Sequence, residues 1–184
     1  MSLNKIIKSR RSIRKFKNKT PDWRVIIECI DTMRYAPMSG GNFTLKFILV
    51  KDKNKIERLA KYAQQPFVGT VKYIVVVCSN PLRTIKAYGN RGKMYVRQQA
   101  GAAMQNFLLK LHERGLATCW VGHFVERLIK TELKIPNEIH VEALFPIGYK
   151  AQNPKEKPKV DIDNCLYFDE YENKQMKTHK KINA

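Results

Sequence analysis

The segment Tyr73-Ile-Val-Val-Val-Cys78 constrains the fold more than any other. It is an unbroken β-branched run without polar alternation, so an extended chain here needs cover on both faces. Helices must supply that cover. The clearest runs from about Met94 to Arg114, with Val96, Ala100, Ala103, Met104, Phe107, Leu108 and Leu111 on one stripe and Gly115 ending it. Leu3–Ser9 can form a short helix with Leu3, Ile6 and Ile7 on one face. A second helix is expected to start at Thr20-Pro21-Asp22, with Thr20 as its cap, and to end near Tyr35, ahead of Ala36-Pro37. Trp23, Ile26, Ile27, Ile30 and Met33 recur along it at helical spacing. Asp52 caps a third helix carrying Ile56, Leu59, Ala60 and Ala63, and Phe124–Leu133 reads as a fourth. Phe47–Val50, Leu116–Val121 and Ile139–Ile147 read as strands. The alternation predicts an α+β or α/β protein with an internal sheet covered by helices. The small run Ala100-Gly101-Ala102-Ala103 lets another backbone come close, first a helix of the same core and second a partner chain.

The 184 residues suffice for one domain with a proper core. Their longest apolar stretches are too short to span a bilayer, and the N-terminus lacks the apolar region of a signal peptide, so the expected compartment is the cytoplasm. Cys29, Cys78, Cys119 and Cys165 are scattered and mostly in apolar segments, which predicts reduced buried thiols. The charge is unusual: 35 Lys+Arg against 16 Asp+Glu give a net +19. Nine of the basic residues fall in residues 1–24, with one acid, Asp22, among them. A spread of lysines is a solvated surface, whereas arginines packed beside a serine suit a specific anion.

No Walker motif, GxGxxG, GxSxG or HExxH is present, and His112, His123, His140 and His179 show no metal-ligand spacing. His112 simply suits the negative end of its helix. A chain with no evident nucleophile, base or metal site either is not an enzyme or lets a cofactor supply the reactive atom. Arg10-Arg11-Ser12-Ile13-Arg14 fits a phosphate monoester, whose acceptor oxygens take guanidinium forks and a hydroxyl. Taken alone, the same cluster reads as an exposed basic turn. Pro37-Met38-Ser39-Gly40-Gly41-Asn42 is a free loop rich in exposed N–H groups, able to lie along a flat heterocycle or to serve as a plain turn. In Cys119-Trp120-Val121-Gly122-His123-Phe124, Gly122 permits close backbone approach to a ligand; the plain alternative is a strand-to-helix turn with Trp120 as a core aromatic.

Arg10–Phe16, Ala36–Asn42, Gly101–Gly122, Pro146–Tyr149 and Lys157-Pro158-Lys159 occur in an order that resembles the FMN-dependent nitroreductase family in its short single-domain form. The most specific stretch is Gly101-Ala102-Ala103-Met104-Gln105-Asn106-Phe107, continuing through His112 to Cys119-Trp120-Val121-Gly122. The resemblance implies an α+β fold with a mixed sheet covered by helices, in a homodimer with FMN at the interface. It implies one FMN-binding domain over residues 1–170 and a basic tail over 171–184. It assigns Arg10 and Ser12, with Arg11 beside them, to the FMN phosphate, and Arg14 to the pyrimidine edge and the charge of the reduced flavin. Pro37, Met38, Ser39 and Asn42 fall along the isoalloxazine ring, Gly122 and His123 on its N5/O4 side, and Lys157 and Lys159 back at the phosphate. The implied activity is ping-pong transfer of two electrons from NADH or NADPH to a flat small-molecule acceptor, such as a nitroaromatic or quinone, with no catalytic side chain and no metal. Three departures stand out. Phe43-Thr44-Leu45 replaces the family's Gln-Pro-Trp, the C-terminal pair is lysine where arginine is frequent, and the contact usual between Arg58 and Val71 is unassigned, with Gln64 or Gln65 in its place. Alternatives are dehalogenation or flavin fragmentation on the same fold. Outside the enzyme class the charge raises nucleic acid as a partner, but no nucleic-acid motif or aromatic platform supports it.

Overall fold

The computed structural model describes residues 2–176; residues 177–184 of the basic tail, His179 among them, lie outside that range. The chain divides into two compact units, Met1–Asn153 and Pro154–Ala184. In the first, β1 (Leu45–Val50), β2 (Tyr73–Ser79) and β3 (His140–Ile147) form an antiparallel sheet in the order β1-β2-β3. Six helices surround it: α1 (Leu3–Ser9), α2 (Trp23–Asp31), α3 (Lys53–Tyr62), α4 (Leu82–Tyr88), α5 (Arg91–Glu113) and α6 (Glu126–Leu133).

The central strand divides the core as its β-branched run demands. Val75 and Val77 join α2 and α5 in one cluster with Phe107, Leu111 and Phe145. Ile74, Val76 and Cys78, one residue out of phase, join α3 and α6 in a second cluster with Leu59, Val68 and Ile129. A bulge opposite Val77/Cys78 skips Glu142 in the pairing, so Val141 turns into the second cluster while Ala143 stays in the first.

Several expectations change. Asp22, not Thr20, caps α2, its carboxylate accepting from the Arg24 N–H at 2.9 Å. Leu116–Val121 is no strand: it forms only isolated bridges, Val121 with Leu144 of β3 and Ala117 with Gly148 just past it. α4 went unforeseen, being short and without a side-chain cap. Of the small run in α5, Ala100 and Ala103 face the core, while Ala102 is exposed and nothing lies within 4 Å of a methyl placed on Gly101. Cys29, Cys78 and Cys119 are buried and Cys165 is exposed. No helix among the described residues is long and apolar enough to cross a membrane.

In the second unit Asp161 caps a single 3-10 turn, Ile162–Asn164, and Lys174 sits over the Tyr167 ring at 4.1 Å.

Candidate functional site

Backbone pairing, rather than a helix, places the basic cluster. Past α1 the chain runs extended, and the Ile13 N–H donates to the Thr118 carbonyl at 2.9 Å. Ile13 is buried, so the alternation of extended chain leaves Ser12 and Arg14 on the other side. Further along, Phe16 pairs with Lys150, and its ring lies over Gly148 so closely that a methyl there would stand 2.8 Å from Phe16 Cδ1. The cluster is thereby fastened beside the Cys119–His123 stretch.

Its three arginines behave differently. Arg11 Nη1 donates to the carbonyls of Lys8 at 2.5 Å and Arg10 at 3.0 Å. Arg10 and Arg14 have no carboxylate within ion-pair distance among the described residues. The Arg14 guanidinium instead lies 5.9 Å from the centre of the Phe67 ring, in the 3-10 turn Pro66–Thr70. Gln65 precedes that turn half-buried, and Gln64 takes a left-handed φ of 53° at the end of α3. Beneath the cluster lies Cys119. Burial pushes its thiol up, against the pull of the Arg14 charge, the Ser12 hydroxyl and Arg10.

The turn after Cys119 is open. Gly122 and His123 are exposed, and a methyl built on Gly122 would meet only the Trp120 indole, at 3.7 Å. Trp120 stands edge-on to Phe145 but remains 38% exposed, so it is not the core aromatic of the plain reading. An open glycine beside an exposed indole and two unpaired guanidiniums makes a surface with room for a flat, anionic ligand.

His112, in the last turn of α5, adjoins this region. Its Nε2 lies 2.7 Å from Ser9 Oγ, which also stands 2.7 Å from the Lys5 carbonyl. Burial and then the Lys150, Arg10 and Arg11 charges lower the His112 pKa. His112 does stand in the last turn of α5, and the shift disfavours the protonated form that would best complement the helix end.

The Pro37–Asn42 loop sits elsewhere. Three of its amides are engaged, fewer being open than expected: Gly41 N–H donates to Met38 O at 3.0 Å, Asn42 N–H to Ser39 O at 3.1 Å, and Ser39 N–H to Gln99 Oε1 at 2.9 Å. Met38, Ser39 and Asn42 are half-buried and Pro37 is exposed. Gly40 and Gly41 take φ of 57° and 69°, values that favour glycine, and the Tyr88 hydroxyl would meet a methyl on Gly40 at 2.6 Å. Gln99, which no motif revealed, is the anchor, and a glutamine three residues after Val96 on the apolar stripe of α5 was the available signal.

Ser9 meets α5 at His112 and Ser39 meets it at Gln99. At about 1.5 Å per residue, these anchor points stand roughly 20 Å apart along the helix. One chain therefore brings Arg10–Arg14 together with Cys119–His123, and holds Pro37–Asn42 at a distance. Lys157 and Lys159 are exposed on irregular chain in the second unit.

Comparison with known proteins follows this geometry. A provisionally named NADH dehydrogenase/NAD(P)H nitroreductase of Methanothermobacter thermautotrophicus is 28% identical over 171 residues, spanning 89% of this chain and 85% of that protein. A solved nitroreductase family protein from Clostridium novyi NT superimposes with a TM-score of 0.74 at 30% identity, over 94% of this chain and 96% of that one. The NADPH:FMN oxidoreductase of Vibrio harveyi, solved with NAD+, shares the fold with a TM-score of 0.82 at 22% identity, over 92% and 77%. The sequence model of the nitroreductase family itself matches residues 7–67 and 61–149, so the basic cluster, the glycine loop and the Cys119–His123 turn all lie within a chain that belongs to the nitroreductase family.

Proposed function

We propose that this chain is an FMN-dependent NAD(P)H oxidoreductase that reduces flat acceptors such as nitroaromatics or quinones, and that it works as a homodimer. The observation that carries this reading is the pair of arginines without carboxylate partners, Arg10 and Arg14, set beside Ser12 and the open Gly122–His123 turn. In a chain of this family these residues fit FMN. Arg10 and Ser12 hold the phosphate, with Arg11 buttressing the turn through its carbonyl contacts. Arg14 sets a positive charge at the pyrimidine edge, and the Gly122–His123 backbone is open to a ring. FMN held by these residues would supply two-electron chemistry between NADH or NADPH and a flat acceptor, in ping-pong order.

Pro37, Met38, Ser39 and Asn42 enter as the partner chain's contribution. The separation of the two groups along α5 supports this, because a ligand at Arg10 is poorly placed to reach the same chain's loop. Uncovered apolar pairs also support association: Leu3 and Ile7 on α1 and Trp23 and Ile27 on α2 point outward at i,i+4 spacing.

The visible spectrum of the purified protein, followed by anaerobic titration with NADH and NADPH, is the test. Flavin absorbance that bleaches with either reductant is expected, and a colourless protein that takes up no added FMN overturns the proposal. Replacing Arg10 and Ser12 together by alanine removes charge-assisted bonds and should raise the FMN Kd about a hundredfold. An unchanged Kd would mean the phosphate lies elsewhere.

A further inference from the structure

We infer that Gln99 is a positioning residue for the ring-side loop, a single buried amide that fixes both ends of Ser39–Thr44 relative to α5. The inference rests on the flavin reading above. Gln99 is 4% exposed, on the core-facing stripe of a helix whose neighbouring positions are Val96, Ala100 and Ala103. A glutamine there carries a large desolvation cost unless its amide is satisfied. Both ends are satisfied by the loop. Oε1 accepts from the Ser39 N–H at 2.9 Å, and Nε2 donates to Thr44 Oγ1 at 2.6 Å. Thr44 is itself buried and immediately precedes β1, and its carbonyl accepts from the Asn80 N–H at 2.8 Å, next to the end of β2.

Besides the two anchors, the segment is contacted by the Tyr88 hydroxyl at Gly40 and by the Phe43–Phe47 ring pair, neither of which bonds its backbone. Gly40 and Gly41 are both left-handed, and the remaining loop bonds are short-range turns, Gly41 N–H to Met38 O and Asn42 N–H to Ser39 O. Two glycines leave many backbone states open. An amide gripping the chain before them and after them selects one. The Ser39, Gly41 and Asn42 N–H groups are engaged, so the loop's Ser39 hydroxyl and Asn42 amide side chains are what Gln99 positions for a ring. A ring-side contact of this kind depends on placement to a fraction of an ångström.

Two variants separate positioning from bulk stability. Gln99→Leu keeps the volume and removes both bonds, leaving the Ser39 N–H and Thr44 hydroxyl unmatched; Gln99→Glu keeps an acceptor for Ser39. Three measurements are made on the purified full-length chain: hydrogen exchange of residues 37–45 without flavin, FMN affinity, and steady-state kinetics with a quinone. In Gln99→Leu, exchange over 37–45 is expected to accelerate at least tenfold while α5 and β2 stay protected. The quinone KM is expected to rise about tenfold, with kcat per bound flavin changing less and the FMN Kd moving only a few-fold, because the phosphate contacts are untouched. Gln99→Glu, which keeps the Ser39 bond but lacks the amide donor and buries a carboxylate, is expected to recover only part of both effects. Should Gln99→Leu fail to fold, Thr44→Val, which removes one bond at constant shape, decides by the same exchange measurement, with an expected rise of about threefold. Exchange and KM within twofold of wild type in a folded Gln99→Leu, or in Thr44→Val where the leucine variant does not fold, would overturn the inference. Failure of the wild-type chain to take up FMN would overturn the flavin reading instead, while the exchange result would still report on the loop.

Discussion

His112 shows how one residue's setting overrides its position in sequence. At the end of a long helix a protonated imidazole is favourable by a few tenths to about 1 kcal/mol. Burial, together with Lys150, Arg10 and Arg11, outweighs that preference and lowers the pKa below the ordinary 6.5. Well above pH 6.5 few protons are bound to the ring in either state, so His112 adds no pH dependence there. As the pH falls through that value the unfolded chain takes up a proton that the folded chain resists, so stability is lost toward acid. His112→Gln should therefore flatten the fall in Tm between about pH 7.5 and pH 5; parallel curves for variant and wild type would show that His112 contributes nothing to it. Two residues of the site were illegible for related reasons. Gln99 hides in an apolar stripe because only its partners, Ser39 and Thr44, reveal why a polar group is there. Phe67 meets Arg14 only because the fold brings residues far apart in sequence together.

Between elements, the sequence was most legible where periodicity is strong. The β-branched run, the α5 stripe and the Asp52 cap all specify their structures locally, and Asp52 does accept from the Lys55 N–H at 2.8 Å. α4 was illegible because its seven residues are mostly exposed and its apolar positions carry no clear period. It is held by a tertiary contact instead: a methyl on Gly92 of α5 would stand 2.5 Å from the Thr84 carbonyl oxygen of α4. Backbone cannot yield as a flexible side chain does. Gly92→Ala should lower stability by about 1–3 kcal/mol in a urea titration, even though alanine is the better helix former by about 1 kcal/mol. An increase in stability would show that α4 moves aside without cost. At the start of α2, Asp22→Ala removes the side-chain acceptor and should cost about 1 kcal/mol by the same measurement, whereas Thr20→Ala should be close to neutral.

At the scale of the whole molecule, the motifs were readable singly, but their distribution was not. Arg10–Arg14 and Pro37–Asn42 flank α2 in the sequence, and the chain attaches their neighbourhoods to α5 roughly 20 Å apart. No local pattern encodes that separation; it follows from where Ser9 and Ser39 meet α5, at His112 and at Gln99. If two chains complete each site, an Arg10→Ala/Ser12→Ala chain and an Asn42→Ala chain should complement. Mixed after unfolding and refolding together, they form heterodimers in which one site carries all the changes and the other carries none. Activity in the mixture well above that of either variant alone is expected, and simple averaging would place every site within one chain. The scattered cysteines, of no evident use to the chemistry, acquire a use here. Burial raises the thiols of Cys29 to about 12 and of Cys78 to about 11 and also raises that of Cys119, so all three resist alkylation, while Cys165 is exposed. The native chain thus comes with one attachment point for a maleimide dye, and donor- and acceptor-labelled copies would report exchange of subunits by energy transfer without any engineered residue.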